Sequence, residues 1–477
     1  MPPPIVVQGT AVSNPHAPPA TANAYAAASP APTNFAGKGE TQETRCRDPI
    51  FAVLLYANVI AIVAVAFTYG PDAVSSNSSN VEYEGYVIAT IISALLSLVL
   101  AALGLLILMA IPETLIKVSL IFVVIMAGVW AALAFLSGSV FAGIMGIIFF
   151  AISICYARAV WSRIPFATIN LVTACTAIKA NWGVVGYAYI FTALAGLWSV
   201  AWAVAFVGVY DQTYTCDDVT NQCTDVNYGY LFLLFVAYFF THQVLQNSIH
   251  VTVAGMVGTW WFEPEDASCC CSPSVNNSFL RTITTSFGSI CFGSLIVAVI
   301  RALQMLANAA RANDDGNFLV CIAECILSCL ASIVEYFNKW AFIYVGLYGY
   351  GYMEAGKNVF TLFRNRGWEA VIADDLINNT LFLISVIMGG IMGSIALIIS
   401  LVSDLFEDAG GNEKGIAFAL GFVIGLVMTS IAMSTIASAV NAIIVLFAEA
   451  PAEFQQNYPD LSNRMRQTWS QIYPGSV

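Results

Sequence analysis

The stretch FNKWAFIYVGLYGYGYMEAGKNVFTLFRNRGW, from Phe337 to Trp368, mixes ionisable, amide and aromatic side chains at high density. Asn338, Lys339, Glu354, Lys357 and Asn358 sit among rings and glycines, between two runs apolar enough for a bilayer. Ionisable groups in or beside a bilayer are expensive, so a cluster of them marks a candidate site by default. Read as one helix, Tyr336, Trp340, Tyr344, Tyr348 and Tyr352 recur every four residues and draw an aromatic ridge along one side. Ring faces carry negative quadrupole density and attract cations. The same rings are also ordinary packing surface.

A second constellation lies between Tyr238 and Phe262, where Gln243, Gln246, Asn247 and His250 share one helical face. That face must meet protein or a water-filled cavity, because lipid cannot satisfy it. Interhelical hydrogen bonding, worth about 1 kcal/mol per bond, is the alternative to a pathway. Trp260 and Trp261 at the end of this run read as interfacial anchors. Arg301 and Glu324 are the deepest charges elsewhere, and Glu324, Ser328 and Glu335 fall on one face. A carboxylate facing a pathway suits a cationic substrate or a coupled proton; the competing reading is an ion pair, Arg301 with Glu324 or, favoured, Glu335 with Lys339.

These groups need elements to hold them. The chain has 477 residues, 59% of them hydrophobic and only 10% charged. No soluble globule hides that much apolar surface, so bilayer is part of the solvent. Runs long enough to cross about 30 Å of hydrocarbon occur at 50–69, 85–111, 115–136, 139–158, 184–209, 229–261, 281–308, 318–350, 374–402 and 416–447. The fold expected is an all-α polytopic membrane protein with about ten transmembrane helices. Residues 166–182, amphipathic and holding Lys179, read as an interfacial or partly buried helix. Residues 1–48, rich in Pro, Ala, Thr and Asn, form an expected disordered tail ahead of the transmembrane domain at 49–448, and 449–477 make a second tail. The first apolar run lies far from Met1, so a cleavable signal peptide is not expected.

Lys and Arg set the orientation. With the N-terminus in the cytoplasm, the loop cations from Lys38 to Arg466 gather inside, and only Arg311 and Lys414 fall outside. Both termini are then cytoplasmic. Outside loops are acidic, as at Asp211, Asp217, Asp218 and Asp225, which follows from positive-inside sorting and also raises local cation concentration. Asn77-Ser78-Ser79 is a glycosylation sequon in the first outside loop. Cys216 and Cys223 share the third outside loop, on the oxidising side, and are candidates for a disulfide. Cys269, Cys270 and Cys271 follow Trp261 and Phe262 on the inner side, a typical setting for S-acylation.

The net charge of −12 excludes a nucleic-acid binder. No nucleotide-binding loop, zinc-protease motif or nucleophile elbow is present, and no nucleophile–base pair stands out. The chain is read as a non-enzyme without metal or other cofactor.

Three segments resemble the choline transporter-like family, its fungal and protist branch in particular: HVTVAGMVGTWWF (His250–Phe262), SFGSICFGSLIVAVI (Ser286–Ile300) and the run from Phe337 extended through EAVIADDL to Leu376. Such proteins are associated with sodium-independent movement of choline, and in some members ethanolamine, so the resemblance implies facilitated or secondary transport of a small cation, most naturally at the plasma membrane. A quaternary ammonium has no N–H to donate, so its site needs aromatic faces and a carboxylate. The residues expected to supply them are Trp340, Tyr344 and Tyr348, with Glu324 as charge partner and Asn247 and His250 on the polar wall. A non-transporting membrane scaffold, or a carrier of another small solute or lipid, is the alternative.

Overall fold

A bilayer core offers no hydrogen-bond partner to the backbone, so an apolar chain crosses it only with its amides satisfied internally. The computed structural model describes residues 42–76, 84–138, 140–213, 216–217, 222–223, 228–267, 272–313, 318–366, 370–402 and 413–472. The helices are α1 (Pro49–Ser76), α2 (Glu84–Ala110), α3 (Pro112–Leu136), α4 (Val140–Val160), α5 (Ile164–Ala180), α6 (Gly183–Thr213), α7 (Tyr228–Phe262), α8 (Pro273–Ile283), α9 (Phe287–Asn313), α10 (Phe318–Tyr348), α11 (Tyr352–Arg366), α12 (Ala370–Val402), α13 (Glu413–Glu449), α14 (Pro451–Asn457) and α15 (Pro459–Ile472). Several open on a proline, whose missing N–H costs nothing in the first turn. Ser272 caps α8 by accepting from the Val275 amide.

Among the described residues ten stretches are long and apolar enough to cross a membrane: α1, α2, α3, α4 running into α5, α6, α7, α9, α10, α12 and α13. Exposed apolar side chains such as Phe67, Val99, Phe149 and Leu197 cover the outside of the bundle. The all-α, ten-span architecture read from the sequence is the one found. Its small exception is a hairpin of two-residue strands, β1 (Cys216–Asp217) and β2 (Gln222–Cys223), paired antiparallel with Cys216 opposite Cys223. Asn77 and Cys269, Cys270 and Cys271 lie outside the described residues.

Three local readings are refined. The helix expected as interfacial or partly buried is α5, and Ile164, Ile169, Asn170 and Ala174, which point in different directions around its axis, are all buried. It is an internal helix wedged against α3, α12, α13 and α15, with Phe166 packed on Trp469 at 5.0 Å between ring centroids. One stripe of it, from Pro165 through Thr168, Val172 and Thr176 to Lys179, reaches the surface. The seventh span begins at Phe287 rather than 281, because Arg281 belongs to the separate helix α8. The eighth ends at Tyr348, since Gly349 turns the chain with φ +76°, a conformation side chains rarely tolerate. The aromatic ridge is therefore split, and Tyr352 starts a new helix.

α12 and α13 pack through the GxxxG pair Gly389 and Gly393, where added Cβ atoms would lie 3.0 Å from the Phe422 carbonyl oxygen and 2.9 Å from that of Phe418. Close approach is sufficient reason for these glycines.

The described N-terminal segment crosses the break at Gly349. Gln42 N donates to the Tyr348 carbonyl (2.9 Å) and Arg47 N to that of Thr285 (3.1 Å). The Asp48 carboxylate accepts from Ser289 Oγ at 2.7 Å and from the Tyr352 amide at 3.2 Å, and so caps the starts of α9 and α11 together. Phe51 stacks on Phe292 one turn further in. α14 packs on the end of α7 and α15 on α5, so both described chain ends lie at one end of the bundle.

Replacing Asp48 by Ala removes an acceptor shared by two helix starts and is expected to cost about 1–2 kcal/mol. Asp48→Asn keeps an acceptor oxygen and loses less. Thermal unfolding in detergent checks the order; an Asp48→Ala midpoint equal to wild type would show that the cap holds nothing.

Candidate functional site

The polar face of α7 does not meet lipid. It forms one wall of a cavity of about 710 Å3 enclosed by α6, α7, α9, α10 and α13. His242, Gln243, Gln246, Asn247 and His250 line that wall, as the helical spacing requires. Ser430, Ser434 and Ser438 of α13 face it, Glu335, Asn338 and Lys339 come from α10, Arg301 from α9, and Phe191 and Thr192 from α6.

Two members of the α7 wall fix neighbouring helices. His250 places Nε2 2.8 Å from the Lys339 carbonyl oxygen, to which it donates, and Nδ1 2.8 Å from Ser438 Oγ. One imidazole thus joins α7 to α10 and to α13. Asn247 Nδ2 donates to Ser294 Oγ of α9 at 2.9 Å. The helix-joining role and the cavity-lining role, which the sequence left as alternatives, fall on the same residues.

The ion pair in the cavity is Arg301 with Glu335, at 2.6 Å, rather than either pair expected from the sequence. Arg301 and Glu335 come from neighbouring antiparallel helices, whereas Glu335 and Lys339 are successive along one. Both Arg301 groups, Nε at 2.8 Å and Nη2 at 2.6 Å, go to the same oxygen, Oε1 of Glu335. Oε2 has no hydrogen-bond partner among the described residues. Glu335 is thus a half-used carboxylate on the wall of a polar cavity.

Towards the chain ends the cavity is closed by a solid layer. Asn338 Nδ2 donates to the Gly293 carbonyl at 2.8 Å, and the Tyr352 hydroxyl donates to Asn338 Oδ1. Below them Trp340, Tyr344 and Tyr348 are buried and do not line the cavity. The hydroxyls of Tyr344 and Tyr348 donate to the two oxygens of Glu449 at the end of α13, and Tyr350 packs against both rings. Arg281 of α8 donates to the Gly346 carbonyl. Trp260 and Trp261 belong to the same layer. They are buried beneath α14, with Trp261 stacked on Phe454 and bonded to the Ala450 carbonyl at 3.0 Å, and are not interfacial anchors. The opposite end is looser: of the described side chains of α10 before Ser332, only Ala331 is buried.

The residues singled out from sequence therefore divide. Asn247 and His250 stand in the cavity wall; Trp340, Tyr344 and Tyr348 stand in the closing layer; Glu324, in the looser half of α10, is in neither. The serine stripe of α13 was missed, although Ser430, Ser434 and Ser438 at four-residue spacing in an apolar run were there to be read.

The arrangement has counterparts among known proteins. A family model described as plasma-membrane choline transporter matches residues 144–452, which hold the whole cavity. Protein PNS1 of Mycosarcoma maydis is 29% identical over 466 residues, covering 93% of this chain and 87% of that protein. A CTL-like protein of Dictyostelium discoideum and Protein PNS1 of Gibberella zeae are each 33% identical, over 251 and 256 residues. Those two alignments cover 43% and 46% of the relatives' own lengths, less than half of each. With more than half of its length matched by the family model, the chain belongs to the plasma-membrane choline transporter family, a family of multi-pass transporters rather than enzymes.

Proposed function

We propose that this chain moves choline, or a closely related amine such as ethanolamine, through the α6–α7–α9–α10–α13 cavity without ATP. The observation that carries the reading is Oε2 of Glu335, which has no hydrogen-bond partner among the described residues while Arg301 holds Oε1. A quaternary ammonium seeks such a charge together with ring faces, and Phe191, His242 and His250 supply rings on the same cavity. Glutamine, asparagine and serine side chains around them suit the substrate hydroxyl. The role first assigned to Glu324 passes to Glu335, which lines the cavity as Glu324 does not. Tyr344, Tyr348 and Trp340 act in this reading on the exit path, as the layer that parts when the cavity opens toward the termini.

Orientation and residence complete the proposal. The positive-inside distribution puts both termini and the closing layer in the cytoplasm, in the plasma membrane, so that the looser end of the cavity faces outside. On that side Cys216 and Cys223 form a disulfide. Directly opposed residues of an antiparallel pair have Cα atoms about 4.5–5.5 Å apart, within the disulfide range.

Radiolabelled choline flux into proteoliposomes, with and without a pH gradient, tests the function. Wild type gives saturable uptake blocked by a choline analogue. Glu335→Gln raises KM about tenfold, equivalent to roughly 1.4 kcal/mol of binding, whereas Glu324→Gln leaves it unchanged. An unaltered KM in folded Glu335→Gln protein removes this carboxylate from the site. Absent flux and absent choline binding with folded wild-type protein end the transport reading. For the disulfide, thiol alkylation before and after reduction is read by mass spectrometry on the loop peptide; two alkylated thiols before reduction refute it.

A further inference from the structure

A second cavity lies behind the wall of the first. About 410 Å3 in volume, it runs between α2, α5, α6 and α13, with Leu105, Ile178, Val185 and Ile436 among its apolar sides. Its size is that of an ordinary ligand pocket, but its chemistry is the reverse of the transport cavity. Among the described residues Lys179 is the only charged one on its wall. Lys179 is exposed, in the last turn of α5, and makes no hydrogen bond or ion pair among the described residues. Trp182, 62% exposed, stands three residues on at the same mouth. α2 is a membrane span, and the part of it lining the cavity, Leu98 to Met109, is its last turns before Pro112. The mouth is therefore at the bilayer's headgroup level, where tryptophan rings and lysine side chains settle.

An apolar slot of acyl-chain dimensions with one unpaired ammonium at headgroup depth has a specific complement. We propose that the α2–α5–α6–α13 slot binds an anionic phospholipid, one acyl chain inside it and the headgroup phosphate on Lys179. Basic pockets between spans on the inner side of a membrane take such headgroups, and naming the inner leaflet rests on the orientation proposed above. A second groove repeats the pattern. Leu120, Val124 and Ile154 of α3 and α4 form apolar walls, and Arg158, exposed and without a partner among the described residues, is followed three residues later by Trp161. The first slot has a consequence the second lacks, for it shares its partition with the transport cavity. Ala432 and Ile436 face the lipid slot, while Ser434 and Ser438 of the same α13 turns face the transport cavity. Tyr189 and Val185 stand on the lipid side of α6, and Phe191 and Thr192 on the other. A bound acyl chain thus braces the wall that His250 holds from within.

The test compares unfolding midpoints of the full chain in nanodiscs of phosphatidylcholine with and without phosphatidylserine; these bilayers are symmetric, so the result does not depend on orientation or on transport. Phosphatidylserine is expected to raise the wild-type midpoint through preferential binding to the folded state. Lys179→Glu loses that rise and Lys179→Arg keeps it. Ala102→Trp, at an exposed position on the slot wall, also loses it by filling the slot. The proposal is overturned by a wild-type midpoint indifferent to phosphatidylserine, or by a Lys179→Glu midpoint that rises as wild type does. It is overturned equally if soluble glycerophosphoserine reproduces the rise, since that would be a headgroup-only anion site with no use for the slot.

Discussion

His250 sits in the middle of a membrane span and touches two other helices, through Lys339 O of α10 and Ser438 Oγ of α13. Lipid can supply neither partner, and a buried polar group left without one costs about 1–3 kcal/mol. The α7–α10–α13 crossing is therefore dictated by chemistry as well as by shape. Asn247 adds α9 through Ser294. Once those four helices are held at hydrogen-bonding distance along one stripe of α7, the remaining polar groups of that stripe, Gln243 and Gln246 among them, enclose a cavity between them. Satisfying the first polar residues creates the space that solvates the rest.

The two halves of the bundle follow from the same constraint. On the side of the chain ends, α7 from Val251 to Val257 and α13 from Ala439 to Phe447 are buried without interruption. That density needs covering elements, and the sequence supplies them outside the spans: α5 inside the bundle, α14 under Trp260 and Trp261, and the segment ending at Asp48 across Gly349. At the other end no comparable cover is present among the described residues, and α10 before Ala331 is exposed or half-buried there.

The spans were legible because a bilayer imposes length and apolarity on any sequence that crosses it, and the ten apolar runs correspond to ten spans among the described residues. The polar stripe of α7 was legible because only a helix brings Gln243, Gln246, Asn247 and His250 together. Partnerships between helices were not. Periodicity says which face Glu335 occupies, but not that α9 presents Arg301 beside it; that depends on the depth at which two helices cross, which no single stretch encodes. α5, read as interfacial or partly buried, is the second for a related reason. Its threonines and Lys179 look interfacial, yet Thr168, Thr173 and Thr176 each turn a hydroxyl back onto a carbonyl four residues earlier, which lets the helix be buried on all but one stripe. The aromatic ridge failed at one residue, Gly349, whose positive φ ends a helix that the four-residue spacing alone would continue.

That break explains why the least lipid-like stretch of the chain became its seal. Tyr344 and Tyr348 stay on α10 and give both hydroxyls to Glu449, while Tyr352, carried onto α11, returns its hydroxyl to Asn338 at the cavity floor. The rings thus brace the layer from both sides of one turn. A hydrogen bond to a charged group contributes about 1.5–3 kcal/mol, so parting the Glu449 pair costs several kcal/mol unless something replaces it. The exposed carboxylate would then stand between tyrosine faces, which are the groups a quaternary ammonium prefers. In the transport reading proposed above, closing the layer and recognising a cation call for the same side chains, so that the aromatic–carboxylate cluster would be a barrier when empty and a route when a cation arrives.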